Sequence, residues 1–252
     1  MDLASITGWQ FAALFLTAML TGFSKTGLPA AGILGVTIMA SSFAAKQSVG
    51  LILPMLIIAD IVAVTYYRRQ VVWRHLITLI PWVLVGVVAG YYLMRIIADN
   101  ELKLMIGIIV LVLVIVHIYR EHSGKLEQPS TSIWFSAILG ILAGFTTMVG
   151  NAAGGVMAIY LLSRKLPKEQ FIGTGAWFYL FVNVFKIPFN IDLGIISRDT
   201  LLVNSMTIPV ILLGTWIGIK LVPKLSQKQF QTIILALSAI GAVQLIASSL
   251  LA

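Results

Sequence analysis

The sequence predicts an all-α polytopic membrane protein of about ten helical segments arranged as two inverted repeats. Three observations carry that expectation. Of the 252 residues, 59% are hydrophobic and only 10% are charged, where a soluble domain has about 25% charged. Mean hydropathy is +1.00. Too few polar side chains remain to cover a water-facing surface, which excludes a soluble enzyme, a disordered chain and a nucleic-acid binder. The apolar residues fall into stretches separated by short polar connections, as a chain crossing a bilayer once per about 25 residues would show. Finally, the second half of the chain resembles the first.

Taken in order, the stretches are 8–23, 28–43, 47–66, 75–94 and 102–119, then 131–148, 151–163, 170–189, 200–221 and 229–251. Backbone groups in lipid must be satisfied within the segment, so these are helices. The first two stretches of each set are shorter than the roughly 20 residues a full crossing needs. Each half therefore opens with short, broken or re-entrant helices. A polar linker, 121–131 (EHSGKLEQPST), divides residues 1–120, the first transmembrane repeat, from residues 132–252, the second.

The repeat is read from matched glycines and prolines. At an offset of 122, Gly22 and Phe23 match Gly144 and Phe145, and Ala30, Ala31 and Gly32 match Ala152, Ala153 and Gly154. At 123, Gln47 and Gly50 match Gln170 and Gly173, and Asp60 falls opposite Asn183. At 128, Ile80, Pro81, Gly86 and Gly90 match Ile208, Pro209, Gly214 and Gly218. The Gly86/Gly90 and Gly214/Gly218 pairs are spaced for close helix packing, within the chain sooner than between copies.

The formal charge of +8 reads as the excess of Lys and Arg that faces the cytoplasm. An odd number of crossings per half puts twelve basic residues on one side, from Lys25, Arg68 and Arg69 to Lys220, Lys224 and Lys228. Five remain opposite: Lys46, Arg95, Lys103, Lys186 and Arg198. That partition implies inverted repeats in the cell membrane, with both termini non-cytoplasmic. The opening Met1, Asp2 and Leu3 lack the positive flank of a cleaved signal peptide.

There are no cysteines, and His75, His117 and His122 show no ligand spacing with carboxylates, so no metal or cofactor is expected. Nor is there an HExxH, a GxSxG or a phosphate-binding Gly-Lys-Ser/Thr loop, which argues against an enzyme. The informative features are two Gly/Pro-interrupted stretches in corresponding places, 22–29 (GFSKTGLP) and 144–151 (GFTTMVGN). Transporters commonly bind substrate where such interruptions meet at the midplane. The helices that follow would aim free N–H groups at one point, with Pro29 in a first turn and Asn151 as an N-cap. Lys25 would add charge, and Ser24, Thr26, Gly27, Thr146, Thr147 and Gly150 complete the lining. That inventory suits an oxyanion, since no carboxylate lies near either interruption in sequence.

Plainer readings stand beside these. Lys186, beside Pro188, could be a second anion contact, but it and Lys25 could also snorkel to an interface, and the hydroxyls could bond their own helices. Asp60, a carboxylate well inside a span, is a candidate for ion coupling with Asn183 opposite. It could equally pair with Lys25, or with Arg68 or Arg69.

At the two interruptions the sequence resembles the TauE/SafE family of sulfite exporters, also called the toluene-sulfonate uptake permease family. The resemblance rests on GFSKTGLPAAGILGVTIMA in the first half and GFTTMVGNAAGGVMAIYLLSRKLPKEQFIGTGAWFYLFVNVFKIPF in the second. Within the latter, Leu166 to Glu169 (LPKE), Gly173-Thr174 and the run from Asn183 through Lys186 to Pro188 are the closest. The resemblance implies a secondary transporter for sulfur-containing anions: sulfite, or organosulfonates such as taurine, isethionate or sulfoacetate. An anion channel, or a carrier for other small organic anions, is the alternative. Trp177 or Tyr179 would flank an organic tail. Thr26, Ala30 and Ala31 replace glycines common in relatives, and Asn151 stands where relatives often have histidine, so a histidine's role does not carry over. The expected partners are the bilayer, the anion and a coupling proton or sodium ion; nucleic acid is not expected, and oligomeric state is open.

Overall fold

Thr7 starts the first helix with a reciprocal cap: its hydroxyl accepts the Gln10 N–H at 3.4 Å, and the Gln10 side-chain oxygen accepts the Thr7 N–H at 3.0 Å. The structure is a computed structural model that describes residues 7–96, scattered positions between 101 and 119, and residues 133–250. The expected linker, 121–131, lies outside the described residues, as does much of the expected segment 102–119. All regular structure among the described residues is helical.

In chain order the helices are α1 (Gly8–Thr26), a 3-10 turn (Pro29–Ala31), α2 (Gly32–Ser42), α3 (Ala45–Tyr67) and α4 (Trp73–Met94). After the linker come α5 (Ile133–Gly150), α6 (Ala153–Ser163), α7 (Lys168–Asp192) and α8 (Arg198–Leu221). A 3-10 turn (Val222–Lys224) leads into α9 (Gln227–Leu250). Among the described residues four stretches are long and apolar enough to cross a bilayer: Lys46–Tyr67, Trp73–Met94, Ile133–Gly150 and Arg198–Lys224. Large apolar side chains point outward along them, including Ile77 and Val85 on α4 and Leu213 and Trp216 on α8. Such outward apolar faces fit a lipid surround. The chain is an integral membrane protein.

The helix boundaries correct one expectation. Residues 22–26 and 144–150 are helical, the last turns of α1 and α5, so the interruptions are confined to about residues 27–31 and 151–152. The opening helices are 19 and 18 residues long; the short ones are α2 and α6, at 11 residues each. Eleven residues span about 16 Å, roughly half a hydrocarbon core. Gly22 and Gly144 do not break their helices, because each serves a helix crossing. A Cβ on Gly22 would lie 2.1 Å from the Ile211 carbonyl oxygen, and one on Gly144 would lie 2.0 Å from that of Val83.

The partner glycines complete the pattern. A Cβ on Gly214 would meet the Met19 carbonyl at 2.2 Å, and one on Gly86 the Ile141 carbonyl at 2.1 Å. Thus α1 lies against α8, and α4 against α5, each pair parallel and backbone to backbone. The carbonyl contacts of Gly22 and Gly144, and those of Gly214 and Gly86, correspond under the offsets of 122 and 128 found in the sequence.

Between these pairs, α3 and α7 cross in opposite directions. Gly50, near the start of α3, meets Ile195 beyond the end of α7, while Gly173, near the start of α7, meets the Tyr67 carbonyl. Asp60 and Asn183 touch midway along. The short α2 and α6 are wedged beside this crossing, and every residue of α6 but one is buried.

Candidate functional site

Two buried ammonium groups define the centre. Lys25, in the last turn of α1, favours the negative end of that helix, and its Nζ is 2.9 Å from Asp60 Oδ1. It also sits 3.8 Å from the centre of the Tyr179 ring, a cation–π contact. The other Asp60 oxygen accepts from Asn183 Nδ2 at 2.6 Å. Asp60 is fully buried and Lys25 is 7% exposed, so Lys25 does not snorkel. Asp60 pairs with it and not with Arg68 or Arg69. The expectation of no carboxylate at the interruptions is therefore corrected: Asp60, distant in sequence, is carried there by α3.

Lys186, on α7, is the second. It is fully buried, and its Nζ donates to the Thr147 carbonyl at 2.9 Å, the Thr147 hydroxyl at 3.0 Å and Asn151 Oδ1 at 2.7 Å. Three oxygen acceptors match the three donors of an ammonium group. No carboxylate pairs with it among the described residues. With both lysines protonated and Asp60 ionised, the cluster of Lys25, Lys186 and Asp60 carries one net positive charge in the protein interior.

Asn151 is not the N-cap expected for α6. That position belongs to Ala152, which supplies no side-chain cap, and Ala31 likewise leaves α2 uncapped. Asn151 adopts a left-handed backbone, φ 53°, which asparagine tolerates better than most residues. Its side chain spans the gap between halves, with Nδ2 donating to the Val49 carbonyl at 3.1 Å and Oδ1 receiving Lys186. Both short helices consequently begin with first-turn N–H groups that no side chain satisfies.

A small cavity of about 30 Å³ lies at this junction, lined from α1 by Thr21, Ser24 and Lys25 and from the second half by Thr147, Asn151 and Gly154. Gly32 and Ile33, which begin α2, close one side, and Tyr179 and Asn183 of α7 close another. The space holds about one water, less than an anion with a sulfur and three oxygens needs. The Tyr179 hydroxyl and Asn183 Oδ1 are buried there with no hydrogen-bond partner among the described residues.

The structure brings together Ser24, Lys25, Thr147, Asn151, Asp60 and Asn183. The others lie outside the wall. Thr26 donates to the Thr215 carbonyl at 2.8 Å, tying α1 to α8, and Thr146 returns its proton to Leu142 of its own helix at 2.8 Å. Gly27 caps α1 against the Phe23 carbonyl at 2.8 Å and packs on Gly218; Gly150 ends α5. Trp177 stacks on Trp73 at 5.1 Å, and Tyr179 is the aromatic residue at the cavity. Lys186 is the residue that sequence reasoning weighs as a second anion contact and then leaves to snorkelling. A signal existed: it stands three residues after Asn183, hence on the same helical face.

A helical membrane protein whose interior gathers three ionisable side chains beside the starts of two short helices has the build of a transport protein. A family model described as Sulfite exporter TauE/SafE matches residues 14–245. The chain belongs to that family, whose members are transport proteins for sulfite and related sulfur anions, not enzymes. No curated protein and no solved structure matches the chain.

Proposed function

We propose that the chain is a secondary carrier for sulfur-containing anions, either sulfite or organosulfonates such as taurine, isethionate or sulfoacetate. The anion binds at the junction of the two halves, between the N-termini of α2 and α6. The observation that carries this reading is the charge of the centre. A buried net charge is costly unless compensated, and Lys186 is an interior ammonium that only neutral oxygens satisfy. An oxyanion would neutralise the cluster and accept from the Tyr179 hydroxyl, which lacks a partner among the described residues, beside two helix starts without side-chain caps.

The crossed contacts of α1 with α8 and α4 with α5, and the opposed directions of α3 and α7, support reading residues 1–120 and 132–252 as inverted repeats. Asp60 and Asn183, equivalent under the offset of 123, would meet on the axis relating them. Both termini would lie on the non-cytoplasmic side of the cell membrane. Rocking of one half on the other would open the closed cavity to each side in turn. The 30 Å³ space, wide enough for about one water, favours such a carrier over a channel, whose path would be continuous.

Counterflow tests the proposal. Proteoliposomes loaded with unlabelled sulfite, taurine, isethionate, sulfoacetate, acetate or sulfate are followed for entry of labelled sulfonate. Stimulation by sulfur anions on the far side, but not by acetate, is the expected result. Entry without such stimulation would mean a channel, and no entry with any anion would remove the substrate assignment.

A further inference from the structure

If the anion binds in this cavity, as proposed above, the centre also selects on the anion's charge. When protonated, Lys25 and Lys186 supply two positive charges against the one negative charge of an ionised Asp60, all three side chains being buried. A monoanion brings the sum to zero. A dianion leaves one negative charge in an environment that penalises it, unless a carboxylate takes up a proton. Asp60 is the carboxylate in reach: its Oδ1 faces Lys25 and its Oδ2 faces Asn183.

We infer that Asp60 registers the charge of the bound anion, so that a monoanion binds without a proton and a dianion binds together with one proton carried on Asp60. Lys25 is the shared element. When a dianion draws the Lys25 ammonium away from Asp60, the carboxylate loses its counter-charge and takes a proton from the water on the open side. On release the proton leaves and the Lys25–Asp60 pair reforms. Asn183 can serve both states, since its amide donates to a carboxylate and its unpartnered Oδ1 can accept from a carboxylic acid after the amide turns over.

Among the described residues the other carboxylates lie away from Asp60, and the ionisable residues of its own helix, Lys46, Tyr66 and Tyr67, stand at that helix's ends. From α1 the only neighbour is Lys25, and α7 supplies Tyr179 and Lys186. Helices α2 and α5 contain no titratable residue, and those of α8, Arg198, Asp199 and Lys220, stand at its ends. The consequence for sulfite is direct. It exchanges between monoanion and dianion near neutral pH, so its proton can travel either on the anion or on Asp60.

The experiment compares isethionate, a monoanion, with sulfoacetate, a dianion, on the purified full-length protein. Affinity is measured between about pH 6.5 and 8.5, and proton uptake is followed with an indicator dye in weak buffer. Isethionate should bind independently of pH with no uptake. Sulfoacetate should weaken about tenfold per unit of rising pH, with one proton taken up per anion bound. In Asp60→Asn the uptake should disappear and sulfoacetate binding should become flat with pH. Asp60→Glu should restore both, and it serves if the asparagine variant does not fold. Equal proton uptake for both anions, or uptake that persists in Asp60→Asn, would overturn the inference while leaving the site in place. Failure of wild-type protein to bind either anion would overturn the site, and the inference with it.

Discussion

Replacing Lys186 with methionine removes one charge from the centre while keeping a side chain of similar length. In the wild-type protein Lys186 Nζ satisfies three acceptors, two on Thr147 and one on Asn151, and no part of the residue reaches solvent. Two stability effects oppose each other. Orphaning buried acceptors costs about 1–3 kcal/mol each where nothing replaces the donor. Deleting an interior ammonium with no anionic partner recovers part of its desolvation penalty. Affinity has no such compensation, because the net charge of the protonated cluster falls from +1 to zero and the bound anion loses a desolvated counter-charge. Truncating one side of such a pair costs about 2–5 kcal/mol, or roughly 30- to 5,000-fold in affinity. Titration calorimetry with isethionate, alongside thermal unfolding of the same preparation, separates the two quantities. The expected result is a large loss of affinity with a cooperative melt retained. Affinity within about threefold of wild type, a difference under 1 kcal/mol, would refute the idea that interior positive charge binds the anion.

Other outcomes follow from the same geometry. Lys25→Ala and Asn151→Ala should each lose anion binding while remaining folded, and unchanged affinity in both would remove these residues from the site. Breaking the Lys25–Asp60 pair from either side leaves a buried charge alone and should cost about 3–5 kcal/mol. The double variant Lys25→Met with Asp60→Asn should be less destabilised than the sum of the singles, and additivity in the unfolding free energies would count against the pair. Gly22→Ala and Gly144→Ala should each lower stability by about 1–3 kcal/mol, since each new Cβ meets a backbone carbonyl at 2.1 or 2.0 Å; unaltered unfolding would mean that the crossings are looser than described. Arg95→Ala, which removes the exposed contact with Asp192 and Tyr91, should leave the melting temperature unchanged within replicate error, because exposed ion pairs contribute little.

Much of this arrangement is legible before any coordinates. Lys25 and Asp60 announce themselves as rare charges in apolar surroundings, where an ionisable residue is costly to keep. Gly22 and Gly144 also stand out, but local reasoning assigns them the wrong task. Glycine weakens an isolated helix, so a run such as GFSKTGLP reads as an interruption from its first residue. In the packed protein the helix continues to Thr26, because Gly22 lets Ile211 of α8 approach and that contact outweighs the propensity. Lys186 was obscure for a related reason. Near a helix end with Pro188 beside it, a lysine is as well suited to snorkelling as to burial, and its acceptors Thr147 and Asn151 lie in another part of the chain.

The sequence alone determines the solvent this protein lives in, its helical character, the correspondence of its halves and the two places where helices restart. These are properties of composition and of local residue order, which act through the hydrophobic effect and backbone satisfaction over a few turns. Only the tertiary structure decides which charges are paired. Asp60 neutralises Lys25 across 35 positions of chain, Lys186 is left to neutral oxygens, and Asn151 ties the start of α6 to α3 and α7. Electrostatic compensation inside a protein depends on distances of a few ångströms between groups on different helices, and no linear pattern encodes those distances.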